Sequence, residues 1–197
     1  TLAWMVMGLL SSGWIALNEW TPFVVGRALL AQSTERRFSR WWSNPRIDVL
    51  HLYAALLRPV LEECPDRRLL VVLDTTVLWN LFCVVQLCLV YRGRTIPLAW
   101  KVLRHPSASV AFRDYRGVLR FAARLLRGHE VVLLADRGFL HGELLRWAGR
   151  TADWHFRIRC KRNVGLFRRT GRGYGRLRLR LSAGEVRYYQ GVYVTGD

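Results

Sequence analysis

The feature that most constrains this chain is a pair of short apolar runs that each end in an aspartate. Residues 69–73 are followed by Asp74, and residues 131–135 are followed by Asp136. Runs of this length, rich in Val and Leu, are typical of strands buried on both faces of a parallel α/β sheet. The carboxyl ends of parallel strands lie at one edge of a sheet. The sequence therefore predicts that the two carboxylates lie together at such an edge.

Between these aspartates, the sequence first predicts a β-hairpin. Residues 82–91 and 95–103 are strand-like and flank Gly93, and a glycine between two such runs is typical of a hairpin turn. A short helix at 140–149 and a further strand at 154–160 are predicted after the second aspartate.

The clearest helix in the sequence follows the hairpin. Its apolar residues form one stripe at helical spacing, arginines occupy the remaining surface, and Gly128 is the predicted C-terminal cap. The stripe consists of Ala111, Tyr115, Val118, Leu119, Ala122, Leu125 and Leu126. We expect this helix to cross over the sheet, so that strand 131–136 lies parallel to strand 69–74.

Residues 1–66 are predicted to be helical. The first 17 residues carry no charge, but Gly13 interrupts them and a membrane span needs roughly 17–25 residues. We expect a buried helix here, with peripheral membrane attachment as the alternative.

A second helix is predicted from Asp48, shortened or kinked by Pro59. Its apolar stripe consists of Val49, Leu52, Tyr53, Leu56, Leu57 and Val60.

Residues 33–42 predict a short basic helix that Pro45 ends. A basic helix after a short turn is compatible with a DNA-binding helix-turn-helix. Its cations are Arg36, Arg37 and Arg40. The alternative, which is equally open at this point, is a solvated basic face over packed aromatic side chains. These aromatic residues are Phe38, Trp41 and Trp42.

The last part of the chain is predicted to be β-rich. From residue 176 to residue 181, arginine and leucine alternate, and this period of two predicts a half-exposed strand with one cationic face that could follow a phosphate backbone. Residues 186–194 predict a further strand. The predicted domains are a helical region at 1–66, an α/β core at 67–161 and a β-rich insertion at 162–197.

The charge of the chain favours a polyanionic partner, in particular nucleic acid. The net charge is +17 in 197 residues, with 31 basic and 14 acidic side chains. Only Lys101 and Lys161 are lysines. A genomic preference for arginine would explain arginine in place of lysine, but it would not explain so few acids. The four cysteines show no Cys-x-x-Cys spacing, which predicts free, mostly buried thiols in a reducing compartment.

The two aspartates predict a metal site. Two carboxylates at adjacent strand ends repel each other unless a cation lies between them. Oxygen ligands and a phosphate partner favour Mg²⁺, or Mn²⁺ in its place. Two such ions can activate a water or a 3′-hydroxyl and stabilise the leaving oxygen of a phosphodiester. The alternative for each residue is a local helix or turn cap: Asp74 before Thr75-Thr76, and Asp136 before Arg137-Gly138.

Three segments of the sequence resemble the DDE transposases of bacterial insertion sequences, specifically the insertion-sequence-4 type. They are Asp74-Thr75-Thr76, the hairpin segment 91–98, and the segment 133–139 with its Asp-Arg-Gly-Phe element. The resemblance covers residues 33–197. It implies a ribonuclease H-like mixed sheet with flanking helices, in which two Asp and a later Glu bind two divalent ions that cut and join DNA. By this match, Asp74 and Asp136 are the first and second acids.

The sequence departs from the family at the third acid. The resemblance implies a Glu on a helix with Tyr, Arg and Lys, and no such segment precedes Asp197. Glu185 has the wrong context, and Glu143 is expected to be an exposed helical acid. We therefore expect a fragment truncated at both ends, which binds DNA in a salt-sensitive way and has little or no cleavage activity.

The resemblance also implies partners and a location. These are insertion-sequence ends and target DNA, a homodimer in the synaptic complex, and the bacterial cytoplasm in association with the nucleoid. The predicted nucleic-acid contacts are Arg36, Arg37, Arg40, Arg157, Arg159, Lys161 and Arg162. The alternatives are a non-catalytic basic DNA-binding module, and a ribonuclease H-like nuclease that does not transpose.

Overall fold

The computed structural model describes residues 1–24, 30–64, 68–160, 164–170, 173–177 and 182–195. The chain divides into two compact units, Thr1–Tyr53 and Ala54–Asp197. The secondary structure is mixed α/β, with a five-stranded sheet in the second unit. The predicted boundaries near residues 66 and 161 stay predictions.

The first unit is helical. Its elements are α1 (Leu2–Ser12), α2 (Leu17–Trp20), a single 3₁₀ turn (Thr21–Phe23) and α3 (Ala31–Trp42). The core consists of Met5, Trp20 and Phe38, and the rings of Trp20 and Phe38 lie 6.1 Å apart. Gly8 permits this packing, because a Cβ atom there would lie 2.5 Å from Cβ of Trp20.

The prediction of a buried first helix is wrong for most of α1. Its only buried residues are Met5 and Gly8, while Val6, Met7 and Leu10 are exposed. Apolar side chains surround this helix, and packing against α2 covers a single face. Within the described residues, no helix is both long enough and apolar enough to cross a membrane.

Helix α4 (Val49–Glu62) buries a stripe that shares only Leu57 with the predicted one. Its buried residues are Ala54, Leu57 and Leu61, whereas Val49, Leu52, Leu56 and Val60 are exposed. Two apolar stripes share this helix, and periodicity alone does not identify the one that packs. Pro59 lies inside the helix without ending it.

The second unit is built around a five-stranded sheet in the order β3-β2-β1-β4-β5. The strands are β1 (Arg68–Leu78), β2 (Phe82–Tyr91), β3 (Arg94–Arg104), β4 (Glu130–Ala135) and β5 (His155–Ile158). β1 and β3 are both antiparallel to β2, and β4 lies parallel to both β1 and β5. The predicted hairpin and the predicted parallel neighbourhood of the two aspartate strands are therefore confirmed.

Helix α5 (Phe112–Leu125) makes the predicted crossover and packs on β2 and β3. The predicted stripe faces the core: Tyr115, Leu119 and Ala122 have no exposed surface. Helix α6 (Gly142–Arg146) and a π-helical turn (Trp147–Thr151) together occupy the predicted helix 140–149.

One face of β1 is buried and the other is half-exposed. Leu69, Val71 and Leu73 are at most 2% exposed, whereas Leu70 is 41% exposed. The prediction of a strand covered on both faces is therefore wrong for the described residues. An apolar run does not distinguish one covered face from two.

The β-rich end forms a separate three-stranded antiparallel sheet in the order β7-β6-β8. Its strands are β6 (Gly165–Thr170), β7 (Gly173–Leu177) and β8 (Val192–Thr195). The strand predicted at 186–194 is wrong for its first part, because β8 begins only at Val192. Most of the predicted Arg/Leu alternation, residues 178–181, lies outside the described part of the chain.

Candidate metal centre

The parallel strands bring both predicted acids to the same level of the sheet. Leu73 on β1 pairs with Ala135 on β4, and Ala135 pairs with Ile158 on β5. The residue that follows this aligned row is Asp74 in the first strand and Asp136 in the second. Because neighbouring strands lie about 4.8 Å apart, the two aspartates follow positions that are direct neighbours in the sheet.

An open cleft of about 490 Å³ lies at this edge of the sheet. Its lining comes from the carboxyl ends of the three parallel strands: Val72, Leu73, Asp74, Leu134, Ala135, Asp136, Arg157, Ile158 and Arg159. The cleft therefore combines two carboxylates with two guanidinium groups. This composition suits a divalent cation and a phosphate at one place.

Asp74 does not end its strand, which corrects the prediction that it lies at the strand exit. β1 continues to Leu78 in antiparallel pairing with β2, and Asp74 pairs with Gln86. Its position is special because the parallel pairing with β4 stops one residue earlier, at Leu73. The cap alternative is therefore wrong for Asp74. Among the described residues, no hydrogen bond occupies its carboxylate.

Asp136 does form a cap, and the alternative is confirmed for one of its oxygens. Oδ1 accepts a hydrogen bond of 2.8 Å from the backbone N–H of Gly138, at the start of a 3₁₀ turn (Arg137–Phe139). This bond orients the carboxylate and uses one lone pair of Oδ1. A cap role and a ligand role are compatible, because an ionised carboxylate has about four lone-pair sites.

The acid Asp74 and the base Arg157 emerge from the same face of the sheet. Val72, Leu134 and Arg157 form the paired row one level below the row of Leu73, and side chains two residues apart share a face. The buried thiol of Cys88 lies on this face as well. Burial raises the pKa of Cys88, and the negative charge of Asp74 raises it further.

The turn that carries Asp136 is anchored to α5. Phe139 is buried against Tyr115, with the two ring centroids 5.6 Å apart and nearly perpendicular. The hydroxyl of Tyr115 lies 2.7 Å from Nε2 of His141, and Nδ1 of His141 accepts the backbone N–H of Leu144. Tyr115 therefore contacts both Phe139 and His141, and these two contacts fix the segment that follows Asp136.

Burial shifts the pKa of both partners in this pair. It raises the pKa of the Tyr115 phenol well above its usual range, with a further rise from the charge of Glu143. It lowers the pKa of His141, and Glu143 opposes part of that change. Sequence reasoning used Tyr115 only as an apolar residue and missed His141. A tyrosine inside an otherwise apolar stripe was the available signal, because a buried phenol needs a partner.

A second, smaller cavity of about 330 Å³ adjoins the same aspartate. Its lining includes Thr75, Ser107, Ser109, Asp136 and Gly138. Oγ1 of Thr75 donates a hydrogen bond of 3.2 Å to the carbonyl of Ala108. Asp136 thus borders both cavities, whereas Asp74 borders only the larger one.

The other predicted nucleic-acid contacts are not all brought to this cleft. Arg157 and Arg159 line it, but Lys161 and Arg162 lie outside the described residues. The remaining three belong to the helical unit, where Arg36, Arg37 and Arg40 are exposed on α3.

The contacts of α3 test the alternative that its basic face is a solvated surface over packed aromatic side chains. The guanidinium of Arg37 lies 5.4 Å from the centroid of the Trp4 ring. Phe38 is fully buried and Trp41 is partly buried, as the packed-face alternative predicts. That alternative is wrong for Trp42, which is 68% exposed.

The remaining acids and cysteines add no ligand to the pair. Glu143 is exposed on α6, as predicted, Glu185 forms an ion pair with Arg187, and neither lines the cleft. In the described part of the chain, no group of three or more His, Cys, Asp or Glu residues could hold a metal ion. All four cysteines are free, as predicted, but Cys160 is exposed.

In comparisons with known proteins, no family model, curated protein or solved structure matches this chain.

Proposed function

We propose that this chain is the DNA-binding and two-acid part of a DDE-type transposase with a ribonuclease H-like core. The observation that carries this proposal is the position of Asp74 and Asp136 on adjacent parallel strands, in one cleft with Arg157 and Arg159. The strand order β3-β2-β1-β4-β5 and the crossover by α5 support a core of this kind. The net charge of +17 supports DNA as the partner.

The residues of the cleft have separate roles in this proposal. Asp74 and Asp136 would hold Mg²⁺ or Mn²⁺ through carboxylate oxygens. When bound, such ions supply activation of a water or a 3′-hydroxyl and neutralise charge on the phosphodiester. Arg157 and Arg159 bind the phosphates of the strand that enters the cleft, because a guanidinium offers two parallel donors to phosphate. The cap on Oδ1 of Asp136 and the anchor at Tyr115 orient the second carboxylate.

Two carboxylates are fewer than the three that the resemblance implies. We therefore expect this chain to bind Mn²⁺ weakly, to bind DNA at low salt, and to cleave little of it. Insertion-sequence ends, target DNA, a homodimer and a nucleoid location are parts of the same proposal. A ribonuclease H-like nuclease would use the same cleft, and joining of a 3′-hydroxyl end to a target strand distinguishes the transposase.

The test is a Mn²⁺ titration followed by electron paramagnetic resonance, which counts free ions. Asp74→Asn should lower the affinity at least tenfold, because it replaces an ionised ligand with a neutral one. The matched control is Asp153→Asn, since Asp153 is exposed, lies outside both cavities, and adopts a left-handed backbone that Asn tolerates. Equal Mn²⁺ affinity in the wild type and Asp74→Asn would contradict the metal pair.

The second candidate is a basic DNA-binding module without catalytic function, and the cap formed by Asp136 favours it. In that case, Asp136→Asn would leave DNA binding with and without Mn²⁺ unchanged. In the first case, DNA binding gains affinity on addition of Mn²⁺, and Asp136→Asn removes that gain.

A further inference from the structure

The turn between β1 and β2 exposes a tryptophan in an unfavourable backbone conformation. Trp79 has φ 53 and Asn80 has φ 51, both in the left-handed region. The Trp79 side chain is 84% exposed, and its neighbours Leu78 and Leu81 are 39% and 42% exposed. The sequence pattern did not single out this turn.

Folding does not explain this residue. A left-handed conformation suits Gly or Asn, and a bulky side chain adopts it only at a cost. An indole that stays in water contributes little burial in return. The ring contacts Phe82 edge-on, with the centroids 6.4 Å apart. Trp79 therefore exposes an aromatic ring to solvent.

The charge around the turn favours a polyanion as the partner of this face. The sequence from Thr75 to Arg113 contains five basic residues and no acid. One of the cations lies beside the turn, because Leu78 pairs with Phe82 and Phe82 pairs with Arg104. An exposed aromatic ring beside arginine is the usual combination for stacking an unpaired base while holding its phosphate.

We propose that residues 78–81 form a stacking platform for an unpaired base of the DNA strand that enters the Asp74 cleft. The inference rests on the proposed function, because it needs nucleic acid as the partner. β1 connects the two places directly: Trp79 lies five positions after Asp74, and a strand rises about 3.3 Å per residue, so the span is at most roughly 17 Å. That length corresponds to about five bases along a helical strand at 3.4 Å each.

The experiment is photocrosslinking of the full chain to a single-stranded oligonucleotide that carries 5-iodouracil, with the attached peptide identified by mass spectrometry. Trp79→Phe keeps an aromatic ring, and Trp79→Asn removes it while favouring the left-handed turn. We expect the crosslink at residue 79 in the wild type and in Trp79→Phe, and its loss in Trp79→Asn. The affinity of Trp79→Asn for the single strand should fall about 5- to 150-fold.

The matched control is Tyr188→Asn, because Tyr188 is 92% exposed and lies far along the chain from this turn. It should leave the crosslink and the affinity unchanged. Unchanged circular dichroism and duplex binding in Trp79→Asn would exclude unfolding as the cause. A crosslink that maps only to other residues would overturn the platform. The platform would also be overturned if sedimentation shows that the wild type self-associates and that Trp79→Asn does not, because Trp79 would then bind a second copy of the chain. Failure of the proposed function is seen separately, as Mn²⁺ binding that does not depend on Asp74.

Discussion

The hydroxyl of Tyr115, which is buried, lies 2.7 Å from Nε2 of His141, which is half-buried and follows the turn that carries Asp136. Nδ1 of His141 accepts the N–H of Leu144, so the proton of the neutral ring belongs on Nε2 and the phenol oxygen accepts it. This hydrogen bond connects the crossover helix α5 to the segment just after Asp136.

Replacing Tyr115 with Phe should loosen this connection without removing the buried ring. The Nε2–H of His141 would lose its acceptor, and an unsatisfied polar group of this kind costs about 1–3 kcal/mol. Urea denaturation measures the loss of stability. Tyr91→Phe, at an exposed tyrosine of the hairpin, is the control and should change little. Wild-type stability in Tyr115→Phe would contradict the bond.

The stability of the protein should depend on the charge of His141. Burial lowers its pKa below the ordinary value of 6.5, so the folded state favours the neutral ring, with Tyr115 and Glu143 as the facing titratable groups. The resulting stability is complete above pH 6.5 and is lost as the pH falls below that value toward the folded pKa. His141→Asn keeps a neutral cap and should flatten the stability curve between pH 5 and pH 7. A curve as steep as that of the wild type would argue against this role.

Two substitutions at Asp136 should separate its cap from its metal ligand. Asp136→Asn keeps an oxygen that accepts the Gly138 N–H, so stability should change little while Mn²⁺ affinity falls. Asp136→Ala removes the cap too and should lose about 0.5–2 kcal/mol of stability in addition. Thermal denaturation and Mn²⁺ titration of both variants check this difference. If the two variants bind Mn²⁺ as well as the wild type does, the residue is only a cap.

A methyl group at Gly138 should disturb the second acid selectively. A Cβ atom there would lie 3.0 Å from Oδ1 of Asp136, which is tighter than an ordinary contact, so the carboxylate must shift. We expect Gly138→Ala to weaken Mn²⁺ binding. Gly117→Ala is the control, because its Cβ meets nothing within 4 Å, and it should stabilise α5 by about 0.5–1 kcal/mol. Equal Mn²⁺ affinity in Gly138→Ala and the wild type would contradict the geometry.

Removal of the cleft arginines should lower the salt dependence of DNA binding. Each phosphate contact contributes about 0.9 to the slope of log K against log salt on duplex DNA. Arg157→Gln should therefore reduce the slope by roughly one unit. Arg120→Gln, at an exposed position on α5, is the control. Fluorescence anisotropy over a salt series gives both slopes, and identical slopes would remove Arg157 from the interface.

The sequence carried enough information for the elements that build the site. The sequence contains two apolar runs that each precede an aspartate, with a helical stripe between them. If that helix crosses over the sheet, the two strands must be parallel, and β1 and β4 are parallel neighbours. The hairpin followed from Gly93, whose φ of 75 is one that glycine readily adopts.

The errors have a common physical cause, since periodicity identifies apolar faces but not their partners. α4 carries two stripes, and it buries Ala54 and Leu61, which were not expected, together with Leu57, which was. Trp42 was expected to pack and is exposed. The turn at Trp79 was missed because its residues lack the usual Gly signal, and His141 was missed because its partner is 26 residues away.

The unequal lengths of β1 and β4 determine where chemistry can occur on this sheet. β1 continues to Leu78 beside β2, while its parallel partner ends at Ala135, so the backbone from Asp74 onward overhangs an unfilled strand position among the described residues. The residue at which β4 ends therefore determines how far along the sheet the second carboxylate lies relative to Asp74. An insertion of two residues in β4 would carry the second carboxylate past the first, and an insertion of one would turn it to the opposite face.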